Sequence, residues 1–142
     1  CLNVRDIVSA TGACTDSNYA NSFHLNGVIS AVASYDLLKK AEEAAKKVNC
    51  GKKVMFGQII SVDHFYTDKE NETMEWAKMG VLAVEMECYA LYLNAARCGK
   101  KALTICTISD HIVKKEFLNS EEIETGFKNM IEIALETAIS LD

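Results

Sequence analysis

The chain has 142 residues, a formal net charge of −5 and a hydrophobic fraction of 49%, which is the balance of a soluble globular protein. Its negative charge argues against non-specific binding to nucleic acid or to membrane surfaces, because phosphate groups select clustered positive charge. No apolar run reaches the roughly 20 residues that a membrane helix needs, and the length predicts a single domain over residues 1–142.

Apolar strands alternate with amphipathic helices along the chain. The predicted strands occupy residues 5–13, 54–62, 81–84 and 102–108, and the predicted helices occupy residues 34–49, about 67–78, 87–98 and a segment that begins near residue 119. Strands that are apolar throughout need cover on both faces of a sheet, which indicates the α/β class.

Side-chain spacing adds detail to three of these helices. In the first, Glu42/Lys46 and Glu43/Lys47 are spaced for i,i+4 ion pairs, and the run TDKE at 67–70 predicts a capping box for the second. The first helix carries on one face Leu37, Leu38, Ala41, Ala44, Ala45 and Val48. The last helix carries on one predicted apolar stripe Ile123, Phe127, Met130, Ile131, Ala134, Leu135, Ala138 and Ile139.

The six cysteines contain no CxxC pair, and Cys88 and Cys106 lie within strongly apolar segments. Unpaired cysteines in apolar surroundings are typical of core thiols in a reducing compartment. The sequence therefore predicts free thiols and a cytoplasmic protein, without disulfides and without zinc or another metal.

Polar and aromatic residues directly follow three of the predicted strands, at 63–66 (DHFY), 85–87 (EME) and 109–111 (SDH). In open α/β sheets, ligands bind outside the carboxyl ends of the strands. If these ends are adjacent, one rim holds acids, a hydroxyl, imidazoles and aromatic rings. That combination suits a neutral, partly aromatic small molecule with hydroxyl groups.

Each of these residues also has an ordinary structural explanation. Glu85 and Glu87 fit equally well as first-turn acids that complement a helix dipole, and Asp110 fits equally well as a cap or turn residue. Phe65 and Tyr66 are of a type that packs in cores more often than against ligands. Composition and spacing leave these alternatives open.

Three strings around these positions resemble a known family, namely SVDHFY at 61–66, VEMECYALY at 84–92 and ALTICTISDH at 102–111. With VRDIV and TGACTDS near the start, the resemblance to the nucleoside phosphorylase family covers essentially the whole chain. Its specific part resembles the hexameric, bacterial-type purine nucleoside phosphorylases. The resemblance implies a three-layer α/β/α sandwich around a central mixed, partly barrel-like sheet.

The implied activity is the reversible phosphorolysis of purine (deoxy)ribonucleosides to free base and (deoxy)ribose 1-phosphate in purine salvage. Inorganic phosphate would be the co-substrate, no metal or organic cofactor would be needed, and the protein would form a homohexamer. By the same resemblance, Asp110 would be the general acid at purine N7, helped by Ser109. Such an acid must hold a proton near neutral pH.

The other implied contacts are with the sugar and the base. Glu87 would accept hydrogen bonds from the ribose hydroxyls, since a carboxylate offers acceptors to a diol. Met86 would pack on the sugar, where a flexible thioether tolerates ribose and deoxyribose. Phe65 would stack on the purine, while Val84 and Glu85 would line the base pocket.

Two parts of the family pattern are missing. The only arginines are Arg5 and Arg97 and the glycines are isolated, so nothing resembles the family's phosphate clamp. Ile123 stands where an arginine assists the catalytic acid in the bacterial hexameric enzymes. The expectation is a C-terminal portion of such an enzyme, with the base and ribose half of the site, without the N-terminal strands, and inactive alone.

Three alternative interpretations stay open at this point. A uridine phosphorylase shares the paired glutamates, but its pyrimidine pocket usually needs Gln and Arg. A methylthioadenosine or adenosylhomocysteine nucleosidase would use water in place of phosphate, which agrees with the missing clamp. The chain could also be a non-catalytic nucleoside-binding or oligomer-forming remnant, since Ile123 replaces the arginine.

Overall fold

The computed structural model describes residues 2–65 and 71–141 and shows an α/β fold with a mixed sheet, as the sequence predicts. The strands are β1 (Ile7–Thr15), β2 (Ala31–Val32), β3 (Val54–Ser61), β4 (Val84–Glu85), β5 (Ile105–Thr107), β6 (Asp110–His111) and β7 (Glu116–Phe117). The helices are α1 (Tyr35–Val48), α2 (Glu72–Lys78), α3 (Cys88–Arg97), α4 (Ser120–Gly126) and α5 (Lys128–Ile139), with a 3₁₀ helix at Tyr19–Phe23. No closed barrel occurs among the described strands.

The chain divides into two compact units. The first unit comprises Cys1–Ser9, Tyr35–Phe56 and Ile105–Asp142, and the second comprises Ala10–Ser34 and Gly57–Thr104. Strands β1 and β3 contribute residues to both units. That the 142 residues form a single domain stays a prediction.

The first unit packs α1 and α5 together with the start of β1 and with β5. Ile7 of β1 lies opposite Thr107 of β5 in an antiparallel register. The buried core joins Ile7 to Ala44 of α1 and Ile133 of α5. Half-buried side chains packed against this core are Ala45, Val48, Cys50, Val54, Ile105 and Met130. Burial of this apolar surface is the main force that holds the two helices in place.

The surface of α1 agrees with its sequence pattern except for one ion pair. The predicted apolar face is buried or half-buried throughout, and Lys46 Nζ lies 2.8 Å from Glu42 Oε1 as expected. The predicted pair Glu43/Lys47 is wrong, because Lys47 instead binds Glu136 of α5 at 2.5 Å. Packing of α1 against α5 brings a carboxylate from outside the helix within reach of Lys47.

The predicted last helix is divided in two, since the residue between α4 and α5, Phe127, ends the first helix and precedes the second. Asn119 caps α4 in a capping box: its side chain accepts from the Glu122 N–H at 2.9 Å, and Glu122 accepts from the Asn119 N–H at 3.0 Å. The helix start near residue 119 is therefore confirmed.

The single apolar stripe predicted for this region is wrong. Ile133, which is only 1% exposed, packs on the core of the first unit, whereas Ile131, Leu135 and Ile139 are 50%, 57% and 69% exposed. Thr137 shares the buried side, and its hydroxyl donates to the Ile133 carbonyl at 2.7 Å. The backbone bond satisfies this hydroxyl, so a polar residue occupies a position that the apolar pattern assigned to the outside.

The second unit contains the strand order β2-β1-β3-β4. Strand β2 pairs antiparallel with β1, whereas β4 pairs parallel with β3. Strand β4 begins at Val84, later than predicted. The Val81 N–H donates to the Trp76 carbonyl of α2 after a turn at Gly80 with φ +84°, whereas the Leu82 N–H already donates to Gln58 of β3 at 2.8 Å. The capping box predicted at 67–70 lies outside the described residues.

Two expectations from composition concern membranes and thiols. Within the described ranges, no helix has both the length and the apolar character needed to cross a membrane. The cysteines at 14, 50, 88, 98 and 106 are free thiols, as predicted. Among them Cys88 is buried and Cys98 is exposed.

Shortening a side chain to alanine should affect stability differently on the two sides of α5. Ile133→Ala should lower the free energy of unfolding by about 2–5 kcal/mol, because it leaves a cavity in the core of the first unit. Leu135→Ala, on the exposed side, should change it by no more than about 0.5 kcal/mol. Urea denaturation of both variants measures the difference, and equal losses would contradict the assigned orientation of α5.

Candidate functional site

The carboxyl ends of β3 and β4 meet in the second unit. Ser61 and Glu85, the last residues of these parallel strands, are direct partners in the register. The ladder continues on both sides of this pair, with the Ile60 N–H donating to Ala83 and the Val62 N–H donating to Glu85, both at 2.9 Å. The adjacency that the sequence analysis takes as a condition is therefore met by the ends of β3 and β4.

The Glu85 carboxylate binds the N-terminus of α3. Its Oε2 accepts hydrogen bonds from the backbone N–H groups of Glu87 at 2.8 Å and Cys88 at 2.7 Å. Its Oε1 accepts a short hydrogen bond from the Ser61 hydroxyl. A carboxylate in this position satisfies N–H groups that have no partner within the helix and complements the helix dipole. The helix-start explanation considered for Glu85 is therefore correct.

Glu87 has different surroundings although it is only two residues away. It occupies the N-cap position of α3, yet its side chain makes no capping hydrogen bond. The Glu87 carboxylate is exposed, and within the described part of the chain it forms no hydrogen bond or salt bridge. It is available to accept hydrogen bonds from a ligand.

The apolar residues predicted for the site are accessible as well. Val84 and Met86 are 39% and 42% exposed, and Phe65 is 73% exposed. The core explanation considered for Phe65 is therefore wrong. Tyr66, whose role the sequence left open, lies outside the described residues.

Behind the first turn of α3, Cys88 and Tyr92 are buried. Burial raises the pKa of the Cys88 thiol, hydrogen bonds with Thr104 and Tyr92 act in the opposite direction, and the negative charge of Glu85 raises it further. Burial also raises the pKa of the Tyr92 phenol. A helix N-terminus on its own lowers a thiol pKa, but at Cys88 burial outweighs that effect and keeps the thiol in its unreactive protonated form.

Ser109 and Asp110 lie in the first unit, where they lead into a β-hairpin. The Ser109 hydroxyl donates to Asp110 Oδ2 at 2.7 Å, and the Asp110 side chain is exposed. Asp110 starts β6 and lies opposite Phe117 of β7. This hairpin is not predictable from the sequence pattern, because its strands are only two residues long.

The position that departs from the family pattern, Ile123, also lies in the first unit. Ile123 is 36% exposed on α4. Its neighbour Glu122 holds the guanidinium of Arg5 at 2.6 Å. An arginine is therefore close to α4, although it comes from the start of the chain.

The predicted site residues thus fall into two groups. The second unit brings together Val84, Glu85, Met86 and Glu87 at one strand–helix junction, with Ser61 as a member that sequence analysis missed. The first unit brings together Ser109 and Asp110. No cluster of three or more His, Cys, Asp or Glu side chains suited to a metal ion occurs among residues 2–65 and 71–141.

Comparison with known proteins gives consistent matches. The phosphorylase superfamily model matches residues 1–140. A "Purine nucleoside phosphorylase DeoD-type" of Geobacillus sp. (strain WCH70) is 45% identical over 139 residues, which are 97% of this chain and 57% of that protein. Proteins of the same name from Clostridium perfringens (strain SM101 / Type A) and Colwellia psychrerythraea (strain 34H / ATCC BAA-681) are 45% and 44% identical, over 99% and 97% of this chain. The chain spans 57–59% of the length of these relatives.

Cys88, at the start of α3, and Cys98, directly after its end, should differ in reactivity. At pH 7.5, the exposed Cys98 should react with a maleimide at least about ten times faster than the buried Cys88, because the thiolate is the attacking species and needs access to solvent. Peptide mapping by mass spectrometry measures both rates. Cys98→Ser should remove the fast reaction and Cys88→Ala should leave it; fast labelling of Cys88 in the folded protein would contradict its placement.

Proposed function

The chain belongs to the phosphorylase superfamily, and from that premise we propose that it contributes base-binding and sugar-binding residues to a purine nucleoside phosphorylase. In this reaction the glycosidic C–N bond breaks and a C–O bond forms between the sugar and inorganic phosphate. The purine leaves with the bonding electron pair and gains a proton, and the sugar becomes (deoxy)ribose 1-phosphate. The relatives' shared name and their 44–45% identity support this substrate class.

The observation that supports the proposal best is the different surroundings of Glu85 and Glu87. Hydrogen bonds within the protein occupy the Glu85 carboxylate, whereas the Glu87 carboxylate is exposed and without a partner in the described residues. An acceptor held at the end of a rigid helix suits the two hydroxyl donors of a ribose. We therefore assign the ribose hydroxyls to Glu87.

The proton for the departing base is assigned to Asp110. A purine leaves more readily when N7 is protonated, and a carboxylic acid within hydrogen-bond reach can supply that proton. The hydrogen bond from the Ser109 hydroxyl restrains the Asp110 carboxyl, so Ser109 orients the acid.

The remaining assignments concern packing. Met86 contacts the sugar, and Phe65, whose side chain is 73% exposed, stacks against the purine face. Val84 and Glu85 line the base pocket, with the Glu85 carboxylate held by its three hydrogen bonds.

We further propose that inorganic phosphate is the co-substrate and that no metal or organic cofactor takes part. The protein would act in purine salvage, in the cytoplasm and as a homohexamer. Free thiols agree with a reducing compartment.

Phosphate dependence tests the proposed activity. The protein, purified in the form that its own cell produces, should release hypoxanthine from inosine only when inorganic phosphate is present. Ribose 1-phosphate should appear in equal amount. A coupled assay with xanthine oxidase measures the base. Release that does not require phosphate would indicate a nucleosidase, and binding of inosine without any release would indicate a non-catalytic protein.

The acid assignment predicts a selective loss. Asp110→Asn should reduce kcat for inosine by about 10²–10⁴-fold, which is the usual contribution of general acid catalysis. It should affect 7-methylinosine much less, because the methyl group already gives that base its positive charge. As a control, Glu124→Gln removes an exposed carboxylate of α4 and should change neither rate. Equal losses on both nucleosides would remove the assignment.

A further inference from the structure

Ser61 is a buried polar residue for which the sequence suggested no role. It is 5% exposed at the end of β3. Its Oγ accepts a hydrogen bond from the Tyr89 N–H at 2.8 Å and donates its one proton to Glu85 Oε1. The hydroxyl therefore connects the end of a strand, the Glu85 carboxylate and the first turn of α3.

The Glu85 carboxylate performs the task that an N-cap side chain usually performs. The N-cap residue itself is Glu87, whose side chain makes no capping bond. Because Glu85 reaches forward to the N–H groups of Glu87 and Cys88, the helix start is satisfied without using Glu87. Hydrogen bonds within the protein therefore occupy the Glu85 carboxylate, while the Glu87 carboxylate makes no such bond in the described part of the chain.

We propose that Ser61 and Glu85 are positioning residues that fix the backbone at Glu87, so that the Glu87 carboxylate meets the sugar hydroxyls in the correct geometry. This inference rests on the proposed function. Ser61 limits the movement of Glu85, Glu85 limits the movement of the 86–88 backbone, and the Ser61 side chain itself does not contact the substrate. Site geometry must be held within about 0.5 Å for such contacts to act, and loosening the supporting residues weakens them.

A purely structural role would give a different result, because a helix cap affects stability whether or not a ligand is present. A positioning role acts through Glu87. Removing the Ser61 hydroxyl should therefore no longer lower kcat/KM once the Glu87 carboxylate has been removed.

The test is a double-mutant cycle on the naturally expressed protein, with inosine phosphorolysis as the assay. Ser61→Ala should raise KM for inosine and lower kcat/KM by about tenfold, the loss expected when one hydrogen bond to a charged group is removed. In a Glu87→Ala background, the same substitution should change kcat/KM by less than about twofold. Ser61→Thr keeps a hydroxyl and should restore kcat/KM to within about threefold of the original protein.

Each outcome is decisive. An equal loss from Ser61→Ala with and without Glu87 would overturn the positioning role, and so would a lowered melting temperature with unchanged kcat/KM. If Ser61→Ala does not fold, Ser61→Cys takes its place in the cycle, since a thiol occupies the position of the hydroxyl but is a much weaker hydrogen-bond donor. If the unsubstituted protein neither binds inosine nor releases hypoxanthine, the proposed function fails, and the positioning role fails with it.

Discussion

The strand–helix junction of the second unit depends on one carboxylate. Glu85 ends a strand, and its side chain accepts from two backbone N–H groups of the following helix and from the hydroxyl of the neighbouring strand. Without it, those N–H groups would need water or another acceptor, and a helix start with unsatisfied donors is costly when it is partly buried. The geometry of residues 84–88 therefore follows from an interaction that involves no ligand.

The helix that carries this junction is held at a second point. One turn beyond the first, the Tyr92 hydroxyl donates to the Ala10 carbonyl at 2.6 Å and accepts from the Thr104 N–H at 3.0 Å. The ring is 2% exposed, so these bonds form away from water, where losing one leaves an unsatisfied group. Ser61 at the first turn and Tyr92 at the next restrict both sliding and rotation of α3. The exposed residues before the helix are consequently displayed by a rigid element.

The sequence predicted the long periodic elements well and the short or ambiguous ones poorly. Helix α1 has one apolar face and was assigned almost to the residue, and β3 is a continuous apolar run. Strands β2, β6 and β7 have two residues each, too few for any periodicity to show. Helix α5 carries apolar residues on two sides, and only packing against α1 and β5 decides that the side with Ile133 is buried.

The candidate site shows the same limit. Sequence spacing placed Glu85 and Glu87 on equal terms, because both fit a helix start. Their separation depends on the register of β3 and β4, which sets Ser61 beside Glu85, and such a register is a tertiary property. The role of Ser61 could not be predicted for the same reason, since its hydrogen-bond partners Glu85 and Tyr89 are 24 and 28 residues away along the chain.

The carboxyl groups of Glu85 and Asp110 have different kinds of hydrogen-bond partner. A backbone N–H can only donate, so the two N–H groups that hold Glu85 need it as an acceptor. A hydroxyl can reverse its direction, donating to a carboxylate and accepting from a carboxylic acid. Asp110 is held by such a hydroxyl, that of Ser109, and by no backbone N–H within the described residues. The hydrogen bond from Ser109 is therefore compatible with the acid role proposed for Asp110, whereas all three hydrogen bonds around Glu85 use its carboxylate as an acceptor.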